Sequence, residues 1–247
     1  MTATYRFALM TVFVTFILLM VGGTVNPTGS SLACPDWPTC YGSFTPEMTD
    51  GVEFEHTHRV VATLVGLLTC ILAFMIWRLR TDESSLKKLG LAAVAMVVVQ
   101  GLLGGLTVIW ELPPAVSMTH LALSMFFFSF LIYLCFRLWP GQSEGDGSHS
   151  STPAPRAWAG IAAAAVYIQI LLGGLVRHSA AGTACGTTLP WCNGDAWPLA
   201  FGGQTQMIHR YGGIIVGIIV VIAAANIAWT ALQHKKALAF KLAVISP

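Results

Sequence analysis

The sequence predicts an all-α membrane protein made of two homologous four-helix-bundle halves, the second of them incomplete. Three observations predict it. The chain is 55% hydrophobic and 10% charged over 247 residues, with a mean hydropathy of +0.70, which makes lipid its solvent. Six apolar segments reach the roughly 20 residues that a helix needs to cross about 30 Å of hydrocarbon. Part of the first half also recurs in the second.

The six segments are 5–25, 55–77, 89–110, 115–137, 157–177 and 205–230, and an apolar run from Ala237 reads as a partial seventh. The first segment, with Gly22, Gly23 and Thr24 before a Pro-bearing loop, has the outline of a cleavable leader. Its likeness to a later internal helix argues that it is retained. Ten of the thirteen Lys and Arg residues (Arg6, Arg78, Arg80, Lys87, Lys88, Arg137, Arg156, Lys235, Lys236 and Lys241) fall at the amino terminus and the even-numbered turns. The positive-inside rule makes those regions cytoplasmic, so the expected location is an inner membrane with the amino terminus inside. Arg59, Arg177 and Arg210 lie on the outer side, each beside a histidine or a glycine-rich motif, a placement suited to an anionic group. Membrane lipid is the expected environment, and no nucleic-acid partner is expected.

The repeat organises the chain. Gly22-Gly23 and Cys34 recur as Gly173-Gly174 and Cys185, and His58-Arg59 recurs as His209-Arg210, each 151 residues on (185 − 34 and 209 − 58). Helices 1 and 2 therefore correspond to helices 5 and 6. The expected organisation is a first half over 1–139, a second over 157–247, and between them a polar Gly/Ser/Pro linker over 140–156 in which His149 is solvated. A complete second half would need two more helices, and the counterpart of His120 would stand at about 271.

His58, His120 and His209 each fall near the outer end of an inward-running helix. Imidazoles at one depth on neighbouring helices are what two axial ligands of one haem require, and an intramembrane histidine is a functional hypothesis by default. The outward helices carry Gly22-Gly23, Gly104-Gly105 and Gly173-Gly174 at the same level, and helices 3 and 5 share Gln-x-Leu-Leu-Gly-Gly-Leu at 100–106 and 169–175. Lacking a Cβ, these positions admit a macrocycle or another helix.

Glu55 lies one turn from His58 on the same helix face. Buried there, it serves chemistry or pairs with a cation, and Arg59 is the candidate. Its counterpart is Gln206 by the offset, or Met207 by local count; neither is acidic. His56, about 100° away on the helix, reads as a polar interface residue. Arg59 and Arg210, each after a ligand candidate, suit haem propionates or lipid head groups. Trp37, Trp191 and Trp197 read as interfacial anchors. Cys34 with Cys40 and Cys185 with Cys192 lie in outer loops, where an oxidising compartment favours two intraloop disulfides; a thiol redox relay is the alternative.

Glu55-x-x-His58-Arg59, Ala33-Cys34-Pro-Asp-Trp-Pro-Thr-Cys40 and the repeated His209-Arg210 together resemble the haem A synthase family over essentially the whole chain. The resemblance implies oxidation of the C8 methyl of haem O to the formyl of haem A, for maturation of a haem-copper oxidase. It implies substrate haem between His58 and His120, haem b on His209, and Glu55 as proton acceptor or electrostatic stabiliser near the reacting methyl. It also implies an eight-helix relative, so this chain is read as lacking the last two helices, with the second ligand to the His209 haem coming from a longer reading frame or a neighbouring copy in a homo-oligomer. The enzyme that makes haem O is the expected protein partner. Two readings compete: a thiol-quinone oxidoreductase using the loop cysteines, and a non-enzymatic haem-binding assembly protein.

Overall fold

The computed structural model describes residues 2–80, 83–140, 153–179 and 181–245, with backbone alone at 153, 154 and 234–245. It is helical throughout its membrane-spanning length: α1 (Ala3–Val25), α2 (Val52–Leu79), α3 (Ser84–Ile109), α4 (Pro114–Arg137), α5 (Pro153–His178) and α6 (Phe201–Ile245), with a short 3₁₀ turn at Ala181–Thr183. All six are long and apolar enough to cross a bilayer. The chain divides into two compact units, Met1–Gly145 and Asp146–Pro247.

Local chemistry sets the helix starts that matter for the site. Thr2 caps α1 by accepting the Tyr5 amide. Gly51 caps α2 at φ +91, a conformation that disfavours side chains, and Glu53 and Glu55 occupy the first turn, where the helix dipole favours acids. Pro114 opens α4 at a position that needs no amide donor. These starts place His58 seventh in α2 and His120 seventh in α4.

In the first unit α1 packs on α2, α2 on α3, α3 on α4 and α4 back on α1. That ring leaves α2 and α4 opposite each other across the bundle. The packed core lies away from the histidines: Val65, Leu72 and Ile76 of α2 meet Leu86 and Ala93 of α3 and Phe127, Leu131 and Leu134 of α4. Buried Thr11, Thr15 and Thr69 return their hydroxyls to carbonyls four residues back, which satisfies them without a partner helix. Phe13, Phe74 and Leu102 are exposed on the outside, as lipid-facing residues are.

In the second unit α5 and α6 pack as a pair, with the 3₁₀ turn against both. The run from Ala237, expected as a partial seventh helix, instead continues α6. No Gly or Pro lies between Thr230 and Ile245 to break the helix. Most of the expected 140–156 linker lies outside the described residues, and α5 opens within it at Pro153.

Candidate functional site: histidines seated on glycines

Each of the three histidines lies against a glycine of the helix before it. A Cβ built on Gly22 would meet His58 Cε1 at 2.8 Å, on Gly104 would meet His120 Cε1 at 3.2 Å, and on Gly173 would meet His209 Cε1 at 3.0 Å. The glycines give way to imidazoles, so the rings turn toward helix neighbours and all three are partly buried. In the first unit His58 and His120 occupy the same position, the seventh, of α2 and α4. His58 Nδ1 is buried without a hydrogen-bond partner among the described residues.

A glutamine one turn before the glycine engages two of the rings. Gln100 Nε2 lies 3.0 Å from His120 Nδ1 and donates to the His120 carbonyl at 2.9 Å. Gln169 Nε2 lies 2.9 Å from His209 Nδ1 and donates to the His209 carbonyl at 2.8 Å. Sequence reasoning missed these glutamines, although the signal was there: the shared motif puts Gln and Gly four residues apart, on one helix face.

Above the histidines, the two outer loops are held by matched sets of bonds. Cys34–Cys40 and Cys185–Cys192 are disulfides. Glu55 Oε2 accepts the Cys34 amide at 2.8 Å, and Gln206 Oε1 accepts the Cys185 amide at 2.8 Å, so Gln206 rather than Met207 is the counterpart of Glu55. Arg59 donates to the carbonyls of Asp36, Thr39 and Cys34 and to Glu55 Oε1. Arg210 donates to the carbonyls of Thr188 and Trp191. The Tyr41 amide donates to Asp36 Oδ1, and the Asn193 amide to Thr188 Oγ1. Tyr41 and Asn193, at φ 51 and 54, close the same turn.

The halves differ in charge. Glu55 is 4% exposed and its ion pair with Arg59 is 2.5 Å long; Gln206 is neutral. Asp36 accepts from the Thr39 hydroxyl and the Gly42 and Tyr41 amides, and these bonds hold its carboxyl below the usual carboxylate range. Thr188 in its place does not titrate in this range.

Two other expectations change. His56, expected at a polar interface, is 6% exposed, and its ring lies against the Cys34–Cys40 disulfide, a ring nitrogen and the two sulfurs falling within 4.8 Å of one another. The loop folds down over the start of α2 and covers it. Met207 packs on Cys185–Cys192 in the second unit. Trp37, expected as a membrane anchor, lays its ring over Gly105, where a Cβ would meet Cδ2 at 2.7 Å.

The fold is that of a multi-pass helical membrane protein, with two histidines at one end of a four-helix bundle. The profile of the family described as "Cytochrome oxidase assembly protein" matches residues 5–54 and 52–246, and the chain belongs to that family. It is 30% identical over 225 residues to a protein of Symbiobacterium thermophilum named "Heme A synthase", covering 88% of this chain and 72% of that one. A "Heme A synthase" of Geobacillus kaustophilus is 30% identical over 226 residues, covering 90% and 70%. One of Bacillus pumilus is 28% identical over 240 residues, covering 93% and 75%.

Proposed function

We propose that the protein is a haem A synthase that oxidises the C8 methyl of haem O to a formyl group for cytochrome oxidase. The carrying observation is that His58 and His120, seventh in opposite helices of one bundle, lie at the same end of it, each seated on a glycine. The donor set fits an iron porphyrin: two imidazoles, glycine seats at Gly22 and Gly104, and a buried His58 Nδ1 with no protein partner. Substrate haem O would be held by His58 and His120. Haem b, when bound at His209, supplies one-electron redox chemistry. Arg59 and Arg210 stand beside these ligands as cations for propionates, while their hydrogen bonds also fasten the loops. The protein would work in the bacterial inner membrane, amino terminus cytoplasmic, receiving haem O from the enzyme that makes it.

Converting a methyl to a formyl group removes electrons and protons and adds one oxygen at the carbon, so the site needs an electron acceptor, an oxygen source and a proton acceptor. Glu55 is the candidate proton acceptor, one turn from His58. The second half supports this reading: Gln206 accepts the Cys185 amide as Glu55 accepts that of Cys34, so the loop needs an oxygen there and not a charge. The charge of Glu55 pairs with Arg59, yet Arg210 in the second half is held by loop carbonyls beside a neutral Gln206, so the loop design itself does not require it. Glu55→Gln should therefore keep haem and the Cys34 loop but lose haem A formation, measured by chromatography of extracted pigment. Wild-type haem A yield from that variant would remove Glu55 from the chemistry. A colourless protein that reduces quinone would instead support the thiol-quinone reading.

A further inference from the structure

We infer that Gln100 and Gln169 are positioning residues that set the tautomer of His120 and His209; this rests on those histidines being haem ligands. The argument begins with the amide orientation. Gln100 and Gln169 each place Nε2 on the carbonyl of the histidine they face, at 2.9 and 2.8 Å. Only an amide nitrogen can donate to a carbonyl, so the nitrogen and oxygen ends are fixed by chemistry. The same nitrogen reaches His209 Nδ1 at 2.9 Å, so Nδ1 must accept there, which leaves the proton of that neutral ring on Nε2. At His120 it lies 3.0 Å from Nδ1 and 3.4 Å from Nε2.

A ring that binds iron through Nε2 carries its proton on Nδ1 instead and needs an acceptor beside it. Gln100 already has one, since its Oε1 is buried without a partner. A small shift of the side chain that brings this oxygen to Nδ1 while Nε2 keeps donating to the histidine carbonyl satisfies both groups. At Gln169 the seat is built for the amide: a Cβ on Gly212 would stand 2.6 Å from its Oε1, and one on Gly213 3.3 Å from its Nε2. The glutamine is thus a two-position partner, donor to a free ring and acceptor from a ligating one. His58 has no such partner. Leu18 occupies the position matching Gln169 (169 − 151), and His58 Nδ1 is unpaired.

The test uses the full chain purified in detergent, with Gln169→Leu, Gln169→Glu and Gln100→Leu compared by haem titration and by redox titration. Gln169→Leu and Gln100→Leu should lose about 10–100-fold in haem affinity, the usual cost of removing an outer partner of a ligating histidine. Gln169→Glu should restore affinity and lower the midpoint potential, because a carboxylate accepting Nδ1–H makes the ring a stronger donor to ferric iron. Single-peak elution in gel filtration establishes that each variant is folded. Wild-type affinity and potential in both the Leu and Glu variants, with haem lost in His209→Ala, would overturn the inference alone. A wild-type spectrum in His209→Ala and in His120→Ala would overturn the ligand assignment on which it rests.

Discussion

The two outer loops share one backbone design and differ in how it is charged. Cys34–Cys40 is fastened by Glu55, Arg59 and Asp36, whereas Cys185–Cys192 is fastened by Gln206, Arg210 and Thr188. Amides and carbonyls are satisfied in both, so the fold constrains only the hydrogen bonds. The extra charge in the first half is then available to chemistry. The histidines show the opposite asymmetry: His120 and His209 have glutamine partners, and His58 has none. A ligand that nothing else holds suits a haem that must be released as product.

The largest break in this comparison should come from Gly173→Val and Gly22→Val. Even a Cβ would meet the imidazole at 3.0 and 2.8 Å, and overpacking of this kind costs about 1–3 kcal/mol. Gly173→Val should remove the His209 haem and leave the first-half haem, and Gly22→Val the reverse, as read from absorbance of reduced protein. Next in size, Leu18→Gln would give His58 the partner the other rings have, and should slow exchange of bound haem into apomyoglobin by about tenfold. Glu55→Gln should cost about 1–2 kcal/mol in thermal stability. That is less than the roughly 3–5 kcal/mol of stranding a buried charge, because loop carbonyls still accept from Arg59, as they do from Arg210.

The smallest effect is one of pH. Asp36 has its carboxyl held below the usual range by the Thr39 hydroxyl and the Gly42 and Tyr41 amides, so its contribution is complete above the ordinary carboxylate pKa and lost as pH falls through the lowered one. Protection of the Tyr41 amide against hydrogen exchange, corrected for intrinsic rate, should be lost only as pH falls below the ordinary carboxylate range. The Asn193 amide, bonded to Thr188, should keep its protection there.

Much of this was legible in the sequence because the bilayer makes it so. Segment length and hydropathy place the helices, and the 151-residue repeat pairs His58 with His209 and Cys34 with Cys185. Tertiary packing was less visible. The glycine motif read as a packing surface, and nothing local shows that an imidazole occupies each seat or that Gln100 and Gln169 reach across to Nδ1. His56 looked interfacial because its cover, the Cys34 loop, arrives from 20 residues away. The apolar run from Ala237 read as a separate segment, yet no Gly or Pro between Thr230 and Ile245 ends the helix.

The account turns on His58 and His120 gripping one haem. In a Gly173→Val background, which removes the second-half signal, electron paramagnetic resonance of the oxidised protein should show a single low-spin bis-histidine species that either His58→Ala or His120→Ala converts to high spin. An unchanged low-spin signal in either variant would contradict it.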